Sequence, residues 1–474
     1  MNRAAFLSLL LLTGCTVGPD FTPPAAPDLP GYDAAHLPKG EQVAQQDQKV
    51  NYGQAIPAAW WQLFQSPSLE QTLSQVVANN NTLAAAKASL AQAQQAVLAA
   101  QGGLYPQIDL AASASRNGAF RSNGTPTTSS YGFGPSLSYT PDLFGLTERT
   151  VEQAQAQADN QRYQMAAAYL TLTGGAVAQA INIAAARQQL ATLEEIIASD
   201  EKNLDLVRRK FALGKAARTD ELTAESQLMG DRAQLSTLRQ QLSVARHALT
   251  VLASRMPAEW LPPDFAMNEF TLPRDLPAVV PAELVRQRPD ILAAEAQLHA
   301  ASAAVGIATA GLYPSLTLSA GLTQQSLSAD NLFHASSSLW SLGGSLTAPI
   351  FHGGALQAQK QEAIDAFDAQ FATYRQTVVV AFGQVADALR ALDHDAEFIA
   401  NAQQSLRVAE TSLKFQRASY AVGKTSLLDL IVAERAFAQA RMSFLSAQIQ
   451  QLQDSVQFFV VMGGGWREAA AVSH

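Results

Sequence analysis

Residues 106–116 read PQIDLAASASR, with apolar side chains at every second position and mostly small or polar side chains between them. Residues 131–141 (YGFGPSLSYTP) show the same alternation, which returns in residues 314–323 (PSLTLSAGLT) and 340–348 (WSLGGSLTA). A period of two predicts β-strands with one apolar face and one face of Ser, Thr and Gly. These two pairs of strands determine how the rest of the chain is interpreted.

Such strands are typical of a wall between lipid and a water-filled lumen. Each run of roughly 10 residues is long enough for a tilted strand to cross a bilayer. Four strands are too few to close a membrane barrel, which needs about eight, and open strand edges leave backbone groups unpaired, which hydrocarbon does not tolerate. We therefore expect several chains to share one barrel. The alternative is that the polar face is the surface of a β-sandwich.

The composition excludes other classes of protein. The 474 residues carry 32 Lys and Arg against 40 Asp and Glu, a net charge of −8 that is spread without long runs. A nucleic-acid-binding protein usually shows a clustered basic patch, so no nucleic-acid partner is expected. No run of about 18 apolar residues occurs, which predicts that no helix crosses a membrane.

The chain shows no enzyme motif. Its seven histidines lack the spacing of a zinc-protease helix, and the cluster DHD at 393–395 is predicted to lie on a solvated face. The glycines at 463–465 are followed by Trp466 and not by the Lys-Ser or Lys-Thr pair of a phosphate loop. We interpret these glycines as a flexible chain end. We expect no catalytic residue and no metal, so the energy for any transport must come from a partner.

The N-terminus predicts export and lipidation. Residues 1–14, with Arg3 before an apolar run, have the features of a signal peptide. The sequence LTGC at 12–15 resembles the lipobox of bacterial lipoproteins, so we expect a covalent lipid on Cys15 and no other cofactor. The alternative is a chance cysteine after an ordinary signal peptide. Thr16 follows instead of Asp, which by the same resemblance favours release to the outer membrane of a Gram-negative bacterium.

Residues 15–58 are rich in Pro, Asp, Gln and Gly, which predicts an extended, lipidated N-terminal arm. The sequences CTVGPDF at 15–21 and WWQLF at 60–64 resemble the start of the lipoprotein outer-membrane factors, the TolC-type channels of tripartite efflux systems. The resemblance covers essentially the whole chain. It implies three partners: two further copies in a homotrimer, a periplasmic adaptor (membrane fusion) protein, and an inner-membrane pump of the resistance–nodulation–division (RND) type.

The chain is also duplicated internally. The sequence LYP at 104–106 returns 208 residues later at 312–314, each time after a predicted helix (69–103 and 281–311) and before a strand pair. Each copy is predicted to contain a helix, two strands joined by a loop, a long helix and a returning helix. The boundaries are a first repeat at 59–254, an equatorial linker at 255–280, a second repeat at 281–462 and a C-terminal tail at 463–474.

The long helices carry a heptad pattern. In the second repeat, large apolar residues recur at every seventh position from Phe371 to Tyr420, beside a row of mostly small or apolar residues from Phe367 to Gln416. Sustained heptads predict coiled-coil packing. A helix of roughly 65–70 residues is about 100 Å long.

Both long helices end alike. FALGK at 211–215 matches YAVGK at 420–424, 209 residues later. Gly214 and Gly423 are expected to adopt the left-handed conformation that ends a helix. Ser426 and Asp429 have the spacing of a capping box that starts the returning helix.

In the resembling family these turns form the periplasmic entrance of the channel and contact the adaptor. The resemblance implies a gate formed by Arg218, Asp220, Arg417, Tyr420, Leu428 and Asp429, and adaptor contacts at Gly214, Lys215, Gly423 and Lys424. Charge-assisted hydrogen bonds from tyrosine or arginine to the two aspartates would hold such a gate closed. The alternatives are that the aspartates only cap their helices and that the lysines are only solvated.

We therefore predict a mostly α, internally duplicated chain with long coiled-coil helical hairpins (an α-barrel). Its four strands would contribute to a trimeric 12-stranded outer-membrane β-barrel. The expected function is that of a passive exit channel for drugs or other small molecules, gated at its periplasmic helical tips. One alternative is an exit duct for a type I protein-secretion system. The other is a structural coiled-coil lipoprotein without a pore.

Overall fold

The computed structural model describes residues 16–29, 31–32, 48–118 and 127–466. They fall into two compact units. The strand unit comprises Met1–Ala25, Ala88–Tyr163 and Leu292–Gln376, and the hairpin unit comprises Ala26–Lys87, Gln164–Ile291 and Thr377–His474.

The elements follow the predicted duplication. The helices are α1 Pro67–Asn79, α2 Asn81–Gly102, α3 Leu146–Ala212, α4 Arg218–Leu252, α5 Pro281–Gln287, α6 Pro289–Ala310, α7 Ala355–Ala421 and α8 Leu427–Val461. The strands are β1 Lys49–Tyr52, β2 Gln107–Gly118, β3 Thr127–Tyr139, β4 Asp275–Ala278, β5 Ser315–Ser326 and β6 Ser338–Thr347. The long helices α3 and α7 have 67 residues each, and the returning helices α4 and α8 have 35 each.

The strand unit contains one four-stranded sheet of order β2-β3-β5-β6 in which every pairing is antiparallel. Residues that pair directly across strands lie on the same face. One row across the sheet is apolar: Ile108, Leu137, Ala320 and Leu342. The adjacent row is polar or small: Asp109, Ser136, Gly321 and Ser341. The predicted alternation therefore gives one apolar and one polar face across all four strands.

The sheet has two free edges within the described chain, β2 and β6. Every residue of these two strands is exposed. The strands are also longer than predicted, because β2 continues to Gly118 and β3 begins at Thr127 instead of Tyr131. Threonine and serine at these positions suit a strand, although we predicted a loop across 117–130.

Both predicted helices that precede the strand pairs are broken, which corrects their continuous assignment. Asn80 separates α1 from α2, and Arg288 separates α5 from α6, with both residues in extended backbone conformation. Pro289 explains the second break, because proline disfavours helical geometry in the residue before it. At the first break the Oδ1 atom of Asn80 accepts a hydrogen bond from the Leu83 N–H at 2.8 Å, which caps α2.

The two breaks share one further contact. Asn80 Nδ2 donates to the carbonyl of Leu252 at 2.8 Å, and Arg288 Nη1 donates to the carbonyl of Val461 at 2.8 Å. Leu252 and Val461 are the last residues of α4 and α8. Each break therefore satisfies the C-terminal carbonyl of the returning helix in its own repeat.

The core of the hairpin unit includes the chain end, which corrects our interpretation of 463–465 as flexible. Trp60 and Phe64 are fully buried, and Trp60 stacks on Phe459 with ring centroids 5.2 Å apart. A Cβ added to Gly464 would lie 3.0 Å from the Trp60 ring. Trp466 Nε1 donates to the carbonyl of Gln287 at 2.7 Å. The glycines form a packed turn because larger residues would collide with this core.

The N-terminal arm and the linker also meet in the hairpin unit. Strand β1 of the arm pairs in parallel with β4 of the linker, from Lys49 opposite Asp275 to Tyr52 opposite Ala278. The described end of the arm is therefore fixed by backbone hydrogen bonds, where the sequence predicted only an extended segment.

One described helix, α6, is long and apolar enough to cross a membrane, with a mean hydropathy of 1.3 in its most apolar window. The search for uninterrupted apolar runs missed it, because Asp290, Glu295 and His299 divide its alanine-rich sequence. Its window is 44% buried inside the chain, and Asn160 Nδ2 donates to its Ala293 carbonyl at 2.7 Å. We assign α6 to helix packing within the strand unit.

The break at Arg288 predicts a loss of stability on truncation. Arg288 is 7% exposed and also donates to Asp290 and Gln384. We expect Arg288→Ala to lower the free energy of unfolding by about 2–3 kcal/mol, and Asn80→Ala by about 1–2 kcal/mol. Urea unfolding of the detergent-solubilised protein measures both. Arg255→Ala, at an exposed position, is the control, and equal effects of Arg288→Ala and Arg255→Ala would contradict the assignment.

Candidate functional site

The predicted site lies at the two turns of the hairpin unit, where α3 meets α4 and α7 meets α8. Gly214 and Gly423 have φ values of +70° and +75°. The Gly214 N–H donates to the Phe211 carbonyl, and the Lys215 N–H donates to the Lys210 carbonyl. The second turn repeats both bonds, from Gly423 to Tyr420 and from Lys424 to Ser419. This is the Schellman motif, and it confirms the left-handed glycine at each helix end.

The returning helices begin with aspartate caps. Ser426 Oγ accepts from the Asp429 N–H at 3.2 Å, and Asp429 Oδ2 accepts from the Ser426 N–H at 2.9 Å, which confirms the capping box. The hydrogen bonds from the Ser426 side chain and backbone lower the pKa of Asp429. In the first repeat Asp220 Oδ2 accepts from the Ala217 N–H at 3.0 Å, but Ala217 has no hydroxyl to complete the box.

The arginines of the predicted gate have other partners within the chain. Arg218 forms an ion pair with Glu221, and Arg417 Nη2 lies 3.0 Å from Glu434 Oε1. The structure does not bring either arginine to Asp220 or Asp429 inside one protomer. Glu221 and Glu434 are more enclosed than the two aspartates, so they hold the guanidinium groups in a less solvated environment.

Tyr420 likewise contacts a cation and not a carboxylate. Lys210 Nζ lies 4.2 Å from the centroid of the Tyr420 ring and donates to its hydroxyl oxygen. This arrangement combines a cation–π contact with a hydrogen bond. Tyr420 therefore joins α7 to α3 near the turns.

The outermost side chains of the turns are solvated. Lys215 and Lys424 are exposed, and the equivalent apolar residues Leu213 and Val422 are 69% and 68% exposed. Leu428 is exposed as well. Each turn of this chain thus presents one apolar and one cationic side chain on either side of its glycine.

Sequence reasoning missed a duplicated ion pair across the hairpins. Arg208 Nη2 lies 3.4 Å from Glu225 Oε1 in the first repeat, at the positions that Arg417 and Glu434 occupy in the second. The sequence match between Glu225 and Glu434 was available. The 209-residue shift also relates Arg208 to Arg417, which would have revealed the pair.

Two buried carboxyl pairs were also missed, one in each hairpin. Asp200 on α3 hydrogen-bonds to Asp231 on α4, beside a cavity of about 450 Å³. Asp395 on α7 hydrogen-bonds to Asp454 on α8 and is 5% exposed. Asp395 therefore does not lie on a solvated face as we predicted for residues 393–395. Its position in the second heptad row explains why it points inward.

These environments shift both pairs in the same direction. Burial, and then the charge and hydrogen bond of Asp454, raise the pKa of Asp395 to about 7. Burial, and then Asp231 and Glu434, raise the pKa of Asp200 to about 7. Among the described residues no group of three His, Cys, Asp or Glu side chains is placed to hold a metal ion. Cys15, the predicted lipid site, lies outside the described residues.

The raised pKa of Asp395 predicts a pH-dependent stability. A free aspartate titrates near pH 3.9, so from about pH 4 to pH 7 the folded state binds more protons than the unfolded state. Its stability therefore falls as the pH rises through this range. Asp395→Asn keeps a hydrogen-bonding side chain without the charge, and we expect its melting temperature at about pH 8 to exceed the wild-type value by about 2–4 °C.

At about pH 4 the two proteins should melt within about 1 °C of each other. Asp330→Asn, an exposed loop substitution, is the control and should follow the wild-type curve at every pH. A parallel pH curve for Asp395→Asn and wild type would show that the buried pair does not titrate in this range.

Comparison with known proteins places this geometry in a family. The outer membrane efflux protein model matches residues 72–254 and 280–464, one segment for each repeat. The pyoverdine export outer membrane protein OpmQ of Pseudomonas aeruginosa is 30% identical over 419 residues, covering 86% of this chain and 87% of OpmQ. Nodulation protein T of Rhizobium leguminosarum bv. viciae is 30% identical over 484 residues, covering 99% and 96% of the two chains.

Solved structures show the same fold. The outer-membrane channel OprN superposes with a TM-score of 0.85 at 25% identity, covering 95% of this chain and 100% of OprN. CusC superposes with a TM-score of 0.82 at 25% identity and the same coverage. Both repeats are matched by the family model, and the chain belongs to the outer membrane efflux protein family.

Proposed function

We propose that this chain is one third of a trimeric outer-membrane exit channel for small molecules. The observation that supports this most directly is the four-stranded sheet with an apolar face, a Ser, Thr and Gly face, and two free edges. In hydrocarbon the unpaired N–H and C=O groups of β2 and β6 must find partners. Three copies supply twelve strands, enough for a closed barrel with an aqueous interior.

The duplication predicts how neighbouring chains would pair. Within one chain β3 of the first repeat pairs with β5 of the second, with Ser136 opposite Gly321. The same contact between chains would pair β6 with β2 of a neighbour. Because β6 follows β3 by 209 positions and β5 follows β2 by 208 in the paired registers, Ser345 would lie opposite Ser113 of the next chain.

This register can be tested by cysteine cross-linking. Residues directly opposite in an antiparallel pair have Cα atoms about 4.5–5.5 Å apart, within the range of a disulfide. We expect the double variant Ser113→Cys with Ser345→Cys to form covalent dimers and trimers under mild oxidation, seen on a non-reducing gel. Within one chain the two positions are separated by three strand spacings, about 14 Å, so any such link joins different chains.

The matched control combines Ser345→Cys with Asp109→Cys, which lies on the same face of β2 but about 13 Å further along the strand. It should remain monomeric on the same gel. Equal cross-linking of both pairs, or monomer from both, would contradict the proposed register.

The long hairpins would continue below the barrel as a periplasmic tunnel, with the gate at their turns. In this proposal Asp220, Tyr420, Leu428 and Asp429 line the constriction, together with Arg218 and Arg417. Because both arginines already have acidic partners within a chain, the contacts that close the gate would form between neighbouring chains. Gly214, Lys215, Gly423 and Lys424 would contact the adaptor protein.

The proposed partners are a periplasmic adaptor and an inner-membrane pump of the RND type, with the chain anchored in the outer membrane of a Gram-negative bacterium by a lipid on Cys15. The names of the relatives support small cargo: OpmQ is a pyoverdine export protein, and CusC is a cation efflux system protein. These names favour small-molecule efflux over the alternative of type I protein secretion. The duct would be passive and would catalyse no reaction.

Conductance distinguishes a gate from a helix cap. Asp429→Asn keeps an oxygen that accepts from the Ser426 N–H but removes the charge available to a neighbouring chain. If Asp429 holds the gate closed, the variant in planar bilayers should open at least about tenfold more often than wild type, equivalent to the loss of about 1.4 kcal/mol from the closed state.

An unchanged open probability with an unchanged melting temperature would assign Asp429 to capping alone. Asp330→Asn, outside the turns, is the control for the purified channel. A structural lipoprotein without a pore would give no conductance steps with any variant.

A further inference from the structure

The described N-terminal residues of the strand unit are held where β3 ends and α3 begins. The Val17 N–H donates to the Phe144 carbonyl at 3.2 Å, and Thr16 Oγ1 donates to Glu148 Oε2 at 2.6 Å. Phe21 stacks on His299 of α6, with ring centroids 4.4 Å apart and an interplanar angle of 11°. Residues 16–21 therefore touch two separate parts of the strand unit.

A buried arginine connects these contacts. Arg149 is 5% exposed, and its Nη2 lies 2.7 Å from Asp20 Oδ1 while its Nη1 lies 2.6 Å from Glu152 Oε2. Its Nε also donates to the Val17 carbonyl at 3.3 Å. The other carboxylate oxygen of Glu152 lies 2.8 Å from His299 Nε2. One polar network thus holds both the backbone and the side chains of the N-terminal segment.

Glycines allow the close approach. Gly18 has a φ of +96°, and a Cβ on it would lie 2.5 Å from the Gly306 Cα atom of α6. A Cβ on Gly145 would lie 2.5 Å from the Thr16 side chain. A side chain at either position would push the segment away from the helices.

The duplication shows that this arrangement is built only once per chain. The positions equivalent to Gly306 and His299 in α2 are Leu98 and Ala91, and those equivalent to Arg149 and Glu152 in α7 are Ala358 and Gln361. Gly354, the counterpart of Gly145, has no atom within 4 Å of an added Cβ. Four side chains therefore differ between the repeats where the N-terminal segment binds. We call Arg149, Glu152, His299 and Gly306 the N-terminal seat.

We propose that the N-terminal seat fixes the attachment point of the lipid on Cys15 at the base of the strands, and so couples lipid anchoring to the assembly of the barrel. This inference rests on the proposed function. A trans peptide bond keeps consecutive Cα atoms about 3.8 Å apart, so a lipid on Cys15 leaves the chain beside the Thr16 contacts. The seat residues act through this lipid and are positioning residues.

The surrounding surface suits a lipid boundary. Tyr105 precedes β2, and Ile350 and Phe351 follow β6, so in an antiparallel sheet they lie at the same end as the junction of β3 with α3. Ile350 and Phe351 are 91% and 86% exposed. Aromatic and large apolar side chains at strand ends are typical of the membrane–water interface. Seating the lipid at this level would bring the free strand edges to the bilayer while they lack partners.

The experiment is a double-mutant cycle between lipid and seat. Gly18→Val alters only the N-terminal segment, so the rest of the chain can fold. Gly306→Leu introduces the residue that α2 carries at the equivalent position and blocks the seat from the other side. Each is made in the lipidated chain and in an unlipidated chain, in which residues 1–14 are replaced by an ordinary cleavable leader and Cys15 by Ala. Pulse-chase labelling then follows the appearance of the oligomer, trapped through the cysteine pair at 113 and 345.

In the lipidated chain we expect both variants to assemble at least about fivefold more slowly than the unmodified seat, with the lipid still attached by mass and the protein retained in alkaline-washed membranes. In the unlipidated chain the same variants should change the rate by less than about twofold, because the seat acts through the lipid. Thr22→Val and Leu98→Ala, outside the seat, are the matched controls and should assemble at the unmodified rate.

Equal slowing in both backgrounds would overturn the proposal, because it would assign the contacts to fold stability alone. Assembly of the lipidated variants at the unmodified rate would also overturn it, while leaving the proposed channel intact. A parent chain that never forms an oligomer would contradict the proposed function itself.

Discussion

The two strand edges without partners impose the strongest constraint on this molecule. A row of backbone N–H and C=O groups along β2 and another along β6 can be satisfied in hydrocarbon only by further strands. The chain already contains a model of the solution, because β3 and β5 join its two repeats by the same kind of antiparallel contact. Gene duplication thus produced both halves of the sheet and the geometry by which neighbouring copies can continue it.

Much of this architecture could be predicted because periodic signals act locally. Alternation gave the four strands, and the register places residues such as Leu137 and Ala320 on one face, as the alternation requires. Heptads gave the long helices, and the glycines gave their ends, since Gly214 and Gly423 adopt the positive φ that closes a helix. Repetition at 208 and 209 residues added confidence that no single motif could supply, because both copies had to satisfy the same pattern.

Other features depend on contacts that sequence spacing does not reveal. The helix breaks at Asn80 and Arg288 are specified by the distant carbonyls of Leu252 and Val461. The packed turn at 463–465 depends on the Trp60 ring. At the turns, the partners of the arginines were predicted wrongly because Glu221 and Glu434 compete with the more solvated aspartates. The family resemblance named the region correctly but could not choose among neighbouring acids.

The two helix breaks show how far duplicated copies can diverge while keeping one shape. A neutral amide reaches the end of the returning helix in the first copy, and a guanidinium reaches it in the second. Only the position of one donated hydrogen is shared, so mutation was free to alter charge, size and hydration around it. The second copy gained a cation at the negative end of a helix dipole, and its ancestor need not have had one.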